Sequence, residues 1–220
     1  MHLPNGSQIF VEATREAAAK QATAITNAKE PIMTIAGATY KAGDILLVTT
    51  STWSKLENRV VRVKTDAAAD KVTIEGVDTT NANQFPAGGT ASVVKILTWM
   101  EIPCVQDLSQ DGNEQQYYTY QCLADDREQQ LPTYKSATNL TYNFADDFSN
   151  AIYPILRAAD ESGEVKALRM YVPKAKESRL YSGVLSFNEI PNTTVNEMET
   201  VALSVALKGS FTRLAVTATP

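Results

Sequence analysis

Chemistry at neutral pH draws first on histidine and cysteine, and of those types this chain holds only His2, Cys104 and Cys122. An imidazole at position 2 sits where a chain end is poorly fixed, so a catalytic triad, a dyad or a His-ligated metal has no candidate. The two cysteines lack the C-x-x-C spacing of a zinc or redox site and read as small buried residues. Carboxylates are the remaining reactive groups, and three pairs stand out: Asp125-Asp126, Asp146-Asp147 and Asp160-Glu161. Neighbours in sequence do not converge on one point, so these read as a loop, a helix N-cap and a helix end rather than as an acid/base pair. Gln106–Gln116, with Asp107, Asp111 and Glu114, does not fit a calcium-loop template, and Gly88-Gly89 lacks the following Lys-Ser/Thr of a phosphate loop. The three N-x-S/T tripeptides (Asn5, Asn139, Asn192) are chance matches in a chain with no expected secretion signal. The sequence predicts no enzyme, no cofactor and no metal.

The elements that would position any such residue are mostly strands. Glu199–Lys208 alternates, with Val201, Leu203, Val205 and Leu207 on one face and Thr200, Ala202, Ser204 and Ala206 on the other. The first face is built for a core; the second is small and polar. The same period appears at Ile9/Val11, Leu140/Tyr142/Phe144, Leu168/Met170/Val172 and Leu185/Phe187. It appears also at Tyr118/Tyr120/Cys122, which predicts those side chains inward and Tyr117 outward. One helix is expected over 147–159, capped by Asp146 or Asp147, with Phe148, Ile152, Ile155 and Leu156 as its packing face. Pro154 should kink it, and Gly163 should end it.

Residues 30–97 form a different unit. Five short strand patterns (32–35, 45–49, 60–64, 72–75 and 93–97) separated by turns predict a small β-barrel-like module that folds on its own and can be deleted. Trp53 and Phe85 fall in its loops, where they cap the barrel or mark a contact surface. The order Ala42–Val48, Trp53, Arg59–Val63, Val72–Gly76 resembles small modules inserted in bacteriophage structural proteins. The expected domains are therefore 1–29 with 98–220, interrupted by 30–97.

Composition narrows the function classes. A net charge of −5, from 20 Lys and Arg against 25 Asp and Glu, argues against tight nucleic-acid binding. The excess is local: residues 98–163 carry eleven acids against Arg127, Lys135 and Arg157, whereas 30–97 is balanced at seven of each. No apolar run reaches the ~18 residues of a membrane helix, and Met1–Gly6 has no apolar signal core, so the expectation is a chain that stays in the cytosol where it is made. Long strands without catalytic groups leave open edges, which suit ordered self-assembly.

From about Asn143 onward the chain resembles the major tail tube proteins of long-tailed, non-contractile bacteriophages. The residues that carry this are Asp147–Leu156, Val165–Val172, Tyr181–Pro191 and Val195–Gly209, with Leu3–Val11 similar to the family's first strand. The resemblance covers roughly 1–28 and 98–220, and the module at 30–97 departs from many members. It implies a mostly β fold, a β-sandwich with one flanking helix, and a structural virion protein. It also implies hexameric rings stacked into a hollow tube, with the tape-measure protein and tail-end proteins as partners and phage DNA as a transient passenger. Localisation would be the phage tail, assembled in the host cytoplasm, without membrane insertion. On this reading Val201, Leu203, Val205 and Leu207 pack under the helix, and Thr200, Ala202, Ser204 and Ala206 face the lumen. The competing readings are a tube protein of a contractile tail or secretion apparatus, and a two-domain β module that binds carbohydrate through Tyr117, Trp53 or Phe85.

Overall fold

A computed structural model describes residues 5–216 of the chain. In chain order the strands are β1 (Gln8–Arg15), β2 (Lys20–Ile25), β3 (Ile32–Ile35), β4 (Ile45–Ser51), β5 (Val60–Val63), β6 (Lys71–Glu75) and β7 (Gly89–Ile102). They continue with β8 (Val105–Gly112), β9 (Gln115–Tyr120), β10 (Gln129–Lys135) and β11 (Thr138–Ala145). After helix α1 (Ile152–Ser162) come β12 (Val165–Val172), β13 (Glu177–Asn192), β14 (Thr200–Leu207) and β15 (Thr212–Ala215). The protein is mostly β.

Strands β2, β3, β6, β5, β4 and β7 pair in that order, and β7 returns to β2, closing a six-stranded barrel. Its core includes Met33, Ile35, Leu46, Trp53, Val61, Ile74 and Phe85. The chain enters this barrel earlier than residue 30, because β2 is one of its staves. Ala22 and Ile25 point inward from β2 although they are three residues apart. Register shifts against both neighbours permit this and erase the period-two signal. The high-propensity run 16–20 forms no helix; Glu16 instead donates its backbone N–H to Lys95 O at 2.9 Å.

The remaining strands apart from β9 and β10 form one hydrogen-bonded path, β7-β1-β12-β13-β14-β11-β8, with β15 also on β13. The sixteen-residue β13 is its hinge: Glu177–Val184 pairs with β12, and Gly183–Asn192 pairs mainly with β14. Tyr142 lies level with Leu203 and Phe187 across the sheet, and Tyr181 is six residues from Phe187, roughly 20 Å along a strand. Yet the Tyr142 and Tyr181 hydroxyls are 2.6 Å apart. The sheet therefore folds back over itself, and its two halves enclose a single core with α1, as a sandwich does. Burial holds both phenols protonated well past their ordinary range, Tyr181 being pushed up to about 12.

The barrel is not a free appendage. Leu47, Val60, Val94 and Ile96 pack on Ala167, Leu180 and Leu214, which lie on the side of the sandwich away from its core. Arg59 spans the junction, donating to Thr212 Oγ1 at 3.0 Å and Gly76 O at 2.6 Å, and Arg62 donates to Ala215 O at 3.1 Å. Ser182 Oγ donates to Asn58 O, and Gly209 lies so close that a Cβ there would run into the same carbonyl. Strand β7 belongs to both halves. Its first part pairs with β2 and β4, and its last part with β1.

Candidate assembly surfaces

Strand β14 places Val201, Leu203 and Val205 in the core with no exposed area, and Leu207 packs half-buried against them. On its other face Thr200 and Ala202 are half-buried, and Ser204 and Ala206 are exposed. Pairing extends that face into three rows across β13, β14, β11 and β8: Val184-Ala206-Asn139-Asp111, Ser186-Ser204-Thr141-Ser109 and Asn188-Ala202-Asn143-Asp107. The rows contain only short side chains, no lysine, no arginine and two carboxylates. Of the acidic excess in 98–163, then, Asp107 and Asp111 alone lie in these rows; much of the rest is on the hairpin and around the helix.

Two edges of this four-stranded half are open. Among the described residues β8 pairs only with β11, and the Leu185–Asn192 stretch of β13 pairs only with β14. Strand β13 runs opposite to β14, β14 to β11, and β11 to β8, so the two open edges run antiparallel to each other.

The helix differs from its expected form. It begins at Ile152, so its inward stripe is Ile152, Tyr153, Leu156 and Ala159, with Ile155 half-buried. Phe148 is no part of that stripe and is 76% exposed. Asp147 and Asn150 bind the nearby backbone N–H groups of Ser149 and Ile152, which holds 146–151 as a turn. Pro154 is the third helical residue, where its missing N–H has no intrahelical partner to lose, so it causes no kink. Gly163 ends the helix at φ 61°, its N–H bonding the Ala159 and Asp160 carbonyls. Tyr153 was not anticipated. It donates to Asp146, accepts from the Asp147 N–H at 3.2 Å, and burial with the Asp146 bond pushes its pKa up to about 12.

Other expected sites move as well. Cys104 and Cys122 are exposed, not buried. Tyr118 is 62% exposed and Tyr120 half-buried, because β9 and β10 form a separate two-stranded hairpin outside the core. Trp53 and Phe85 are buried edge to face in the barrel, with the indole N–H donating to Pro86 O at 2.8 Å, so neither is a stacking platform. Glu12, which the sequence did not single out, is buried; it pairs with Arg15 and accepts the Ala167 N–H at 2.9 Å. Among the described residues no three His, Cys, Asp or Glu side chains gather as metal ligands, and no helix is long and apolar enough to cross a membrane. His2 lies outside the described residues.

The sandwich thus carries a bare polar face, two open strand edges and a hairpin on which Tyr117, Tyr118, Leu131 and Tyr134 are exposed. The chain matches the phage tail tube protein (TTP) family over residues 51–216, and it belongs to that family. The match begins at the end of β4 and takes in β5, β6 and β7, three of the six barrel strands, so the family relationship does not stop at the module's boundary. Among curated proteins none matches the sequence. The protein is a structural tail tube protein, a component of the virion tail.

Proposed function

We propose that copies of this chain join edge to edge into rings, and that the rings stack into a hollow tube that delivers phage DNA. What carries the reading is the pair of open, mutually antiparallel edges on one four-stranded half. A rotation that sets β8 of one copy beside β13 of the next continues the antiparallel alternation, because the number of strands per copy is even. Six copies would give a continuous barrel about 37 Å across at ~4.8 Å per strand, and wider once the strands tilt. Thr200, Ala202, Ser204 and Ala206 then face the bore with their row neighbours. Short uncharged side chains with scattered carboxylates offer phosphates no cation to bind, so DNA passes without being held. The inner face of the rows, Val201, Leu203, Val205 and Leu207, stays under the helix. The tape-measure protein and the tail-end proteins are the further partners of such a tube, assembled in the host cytoplasm.

The reading is tested by sedimentation and negative-stain microscopy of the purified protein across a concentration series. Rings or tubes of uniform bore support it. A monomer that stays monodisperse at millimolar concentration overturns it.

A further inference from the structure

Many of the exposed apolar side chains of the sandwich gather at the two ends of β11 and β14. At one end Phe148, Ile190, Val195 and Met198 are 76%, 76%, 85% and 62% exposed. They are held together there because Asp146 donates its N–H to Glu199 O at 2.9 Å, tying the 146–151 turn to the 193–199 loop. This end is acidic. Asp146, Asp147, Glu189, Glu197 and Glu199 lie on it, and neither 143–156 nor 188–200 contains a lysine or arginine. Among the described residues only Glu189 of the five has an ion-pair partner, Arg157.

The opposite end, beyond Leu207, carries a groove of about 660 Å³. Arg179, Lys208 and Arg213 line it together with Phe211 and Leu108, which are 46% and 36% exposed, and no carboxylate lines it. Arg179 and Arg213 share Glu177 at 2.5 and 3.4 Å, and Lys208 has no ion pair among the described residues. The groove thus keeps a surplus of positive charge around an apolar floor. Eight residues of β14 separate the two ends, roughly 25 Å. A simple shift of one copy along its strands brings the acidic apolar end onto the basic apolar groove.

We propose that the 189–199 loop of one copy docks in the Lys208–Arg213 groove of a second copy in the next ring. This rests on the tube reading above and adds its polarity. The contact is head to tail, each copy giving a loop at one end and a groove at the other, so it does not close and the stack extends. Opposite charges set the direction, since loop against loop or groove against groove places like charges together. The contact also weakens as salt rises.

Charge reversal tests it. Lys208→Glu with Arg213→Glu, and separately Glu197→Lys with Glu199→Lys, are expected to leave thermal unfolding and rings intact and to abolish tubes. The chain carrying all four substitutions is expected to regain tubes, because the complementarity is restored in reverse. Tubes of normal length from either double variant, or no recovery in the fourfold variant with intact rings, would overturn the proposal. Should the wild-type chain form no rings, the tube reading itself fails. The docking is then read by titrating the isotope-labelled full chain with the unlabelled full chain and following the Lys208–Arg213 amide resonances. Shifts confined to the groove, weakened at least tenfold when the unlabelled chain carries Glu197→Lys with Glu199→Lys, support it; no shift at millimolar chain refutes it.

Discussion

Deleting residues 30–97 and joining the ends with a short linker should destroy the sandwich rather than trim it. The cut removes four barrel strands and all but the last five residues of β7, and leaves β2 without partners. On the sandwich it uncovers Ala167, Leu180 and Leu214, which are 0%, 1% and 7% exposed in the full chain. Re-exposing the two leucines costs about 3–6 kcal/mol, at about 1.5–3 kcal/mol for each side chain. Losing Ile96 and the Arg15–Ile96 pairing on β1 adds to that. A single domain is stable by about 5–15 kcal/mol, so the deletion takes away much of what there is. The assay is the soluble fraction after expression, followed by urea unfolding and binding of a hydrophobic dye. The expected outcome is insoluble or dye-binding protein, partly rescued by Leu180→Thr with Leu214→Thr. A soluble deletion variant that unfolds cooperatively within about 1 kcal/mol of the full chain would show that the barrel junction contributes little, and the reasoning would be wrong.

Further outcomes follow from the two faces of β14 and from the buried phenols. Leu203→Ala should cost about 2–5 kcal/mol in urea unfolding, because it opens a cavity at a position with no exposed area. Ser204→Ala, one residue away on the bare face, should stay within about 0.5 kcal/mol of wild type. The contribution of these phenols to stability should be full below pH 10 and fall between pH 10 and about 12. The unfolded phenols ionise near 10 while Tyr181 and Tyr153 keep their protons to about 12, so the unfolded state sheds protons first. Urea midpoints at pH 8, 10 and 11.5 read this, and Tyr142→Phe with Tyr181→Phe should reduce the alkaline loss, leaving the part that Tyr153 carries. In assembled particles of the Cys104→Ser, Cys122→Ser chain, Ser204→Cys should give a thiol that reacts with a small maleimide and not with a polymer-linked one.

Much of the fold was legible because the core strands obey a strict period of two. Leu140/Tyr142/Phe144 and Val201/Leu203/Val205 alternate without interruption and are buried on one side. Where a bulge intervenes, as in β2, inward residues fall three apart and the period is lost. Alternation also cannot say what an apolar face is buried against. Tyr118 and Tyr120 alternate as core residues do, yet their hairpin is a sheet of its own, separate from the thirteen-stranded one, and Tyr118 is left exposed. Phe148 misled for a local reason: Asp147, Ser149 and Asn150 offered the backbone a turn, and the helix started later. The barrel junction was invisible because Leu180 and Leu214 lie among outward positions, where sequence alone expects water. The bare polar face could be read on β14 alone; its extension through Ser186, Thr141 and Ser109 needs the strand order, which no local pattern encodes.

The most direct test of the central claim is an electron cryomicroscopy reconstruction of the assembled protein. The expected map is a hollow ring in which β8 of each subunit lies antiparallel beside the Leu185–Asn192 edge of its neighbour, with Ser204, Thr141 and Ser186 lining the bore. A particle without a bore, or a bore lined by the barrel or by α1, would contradict it.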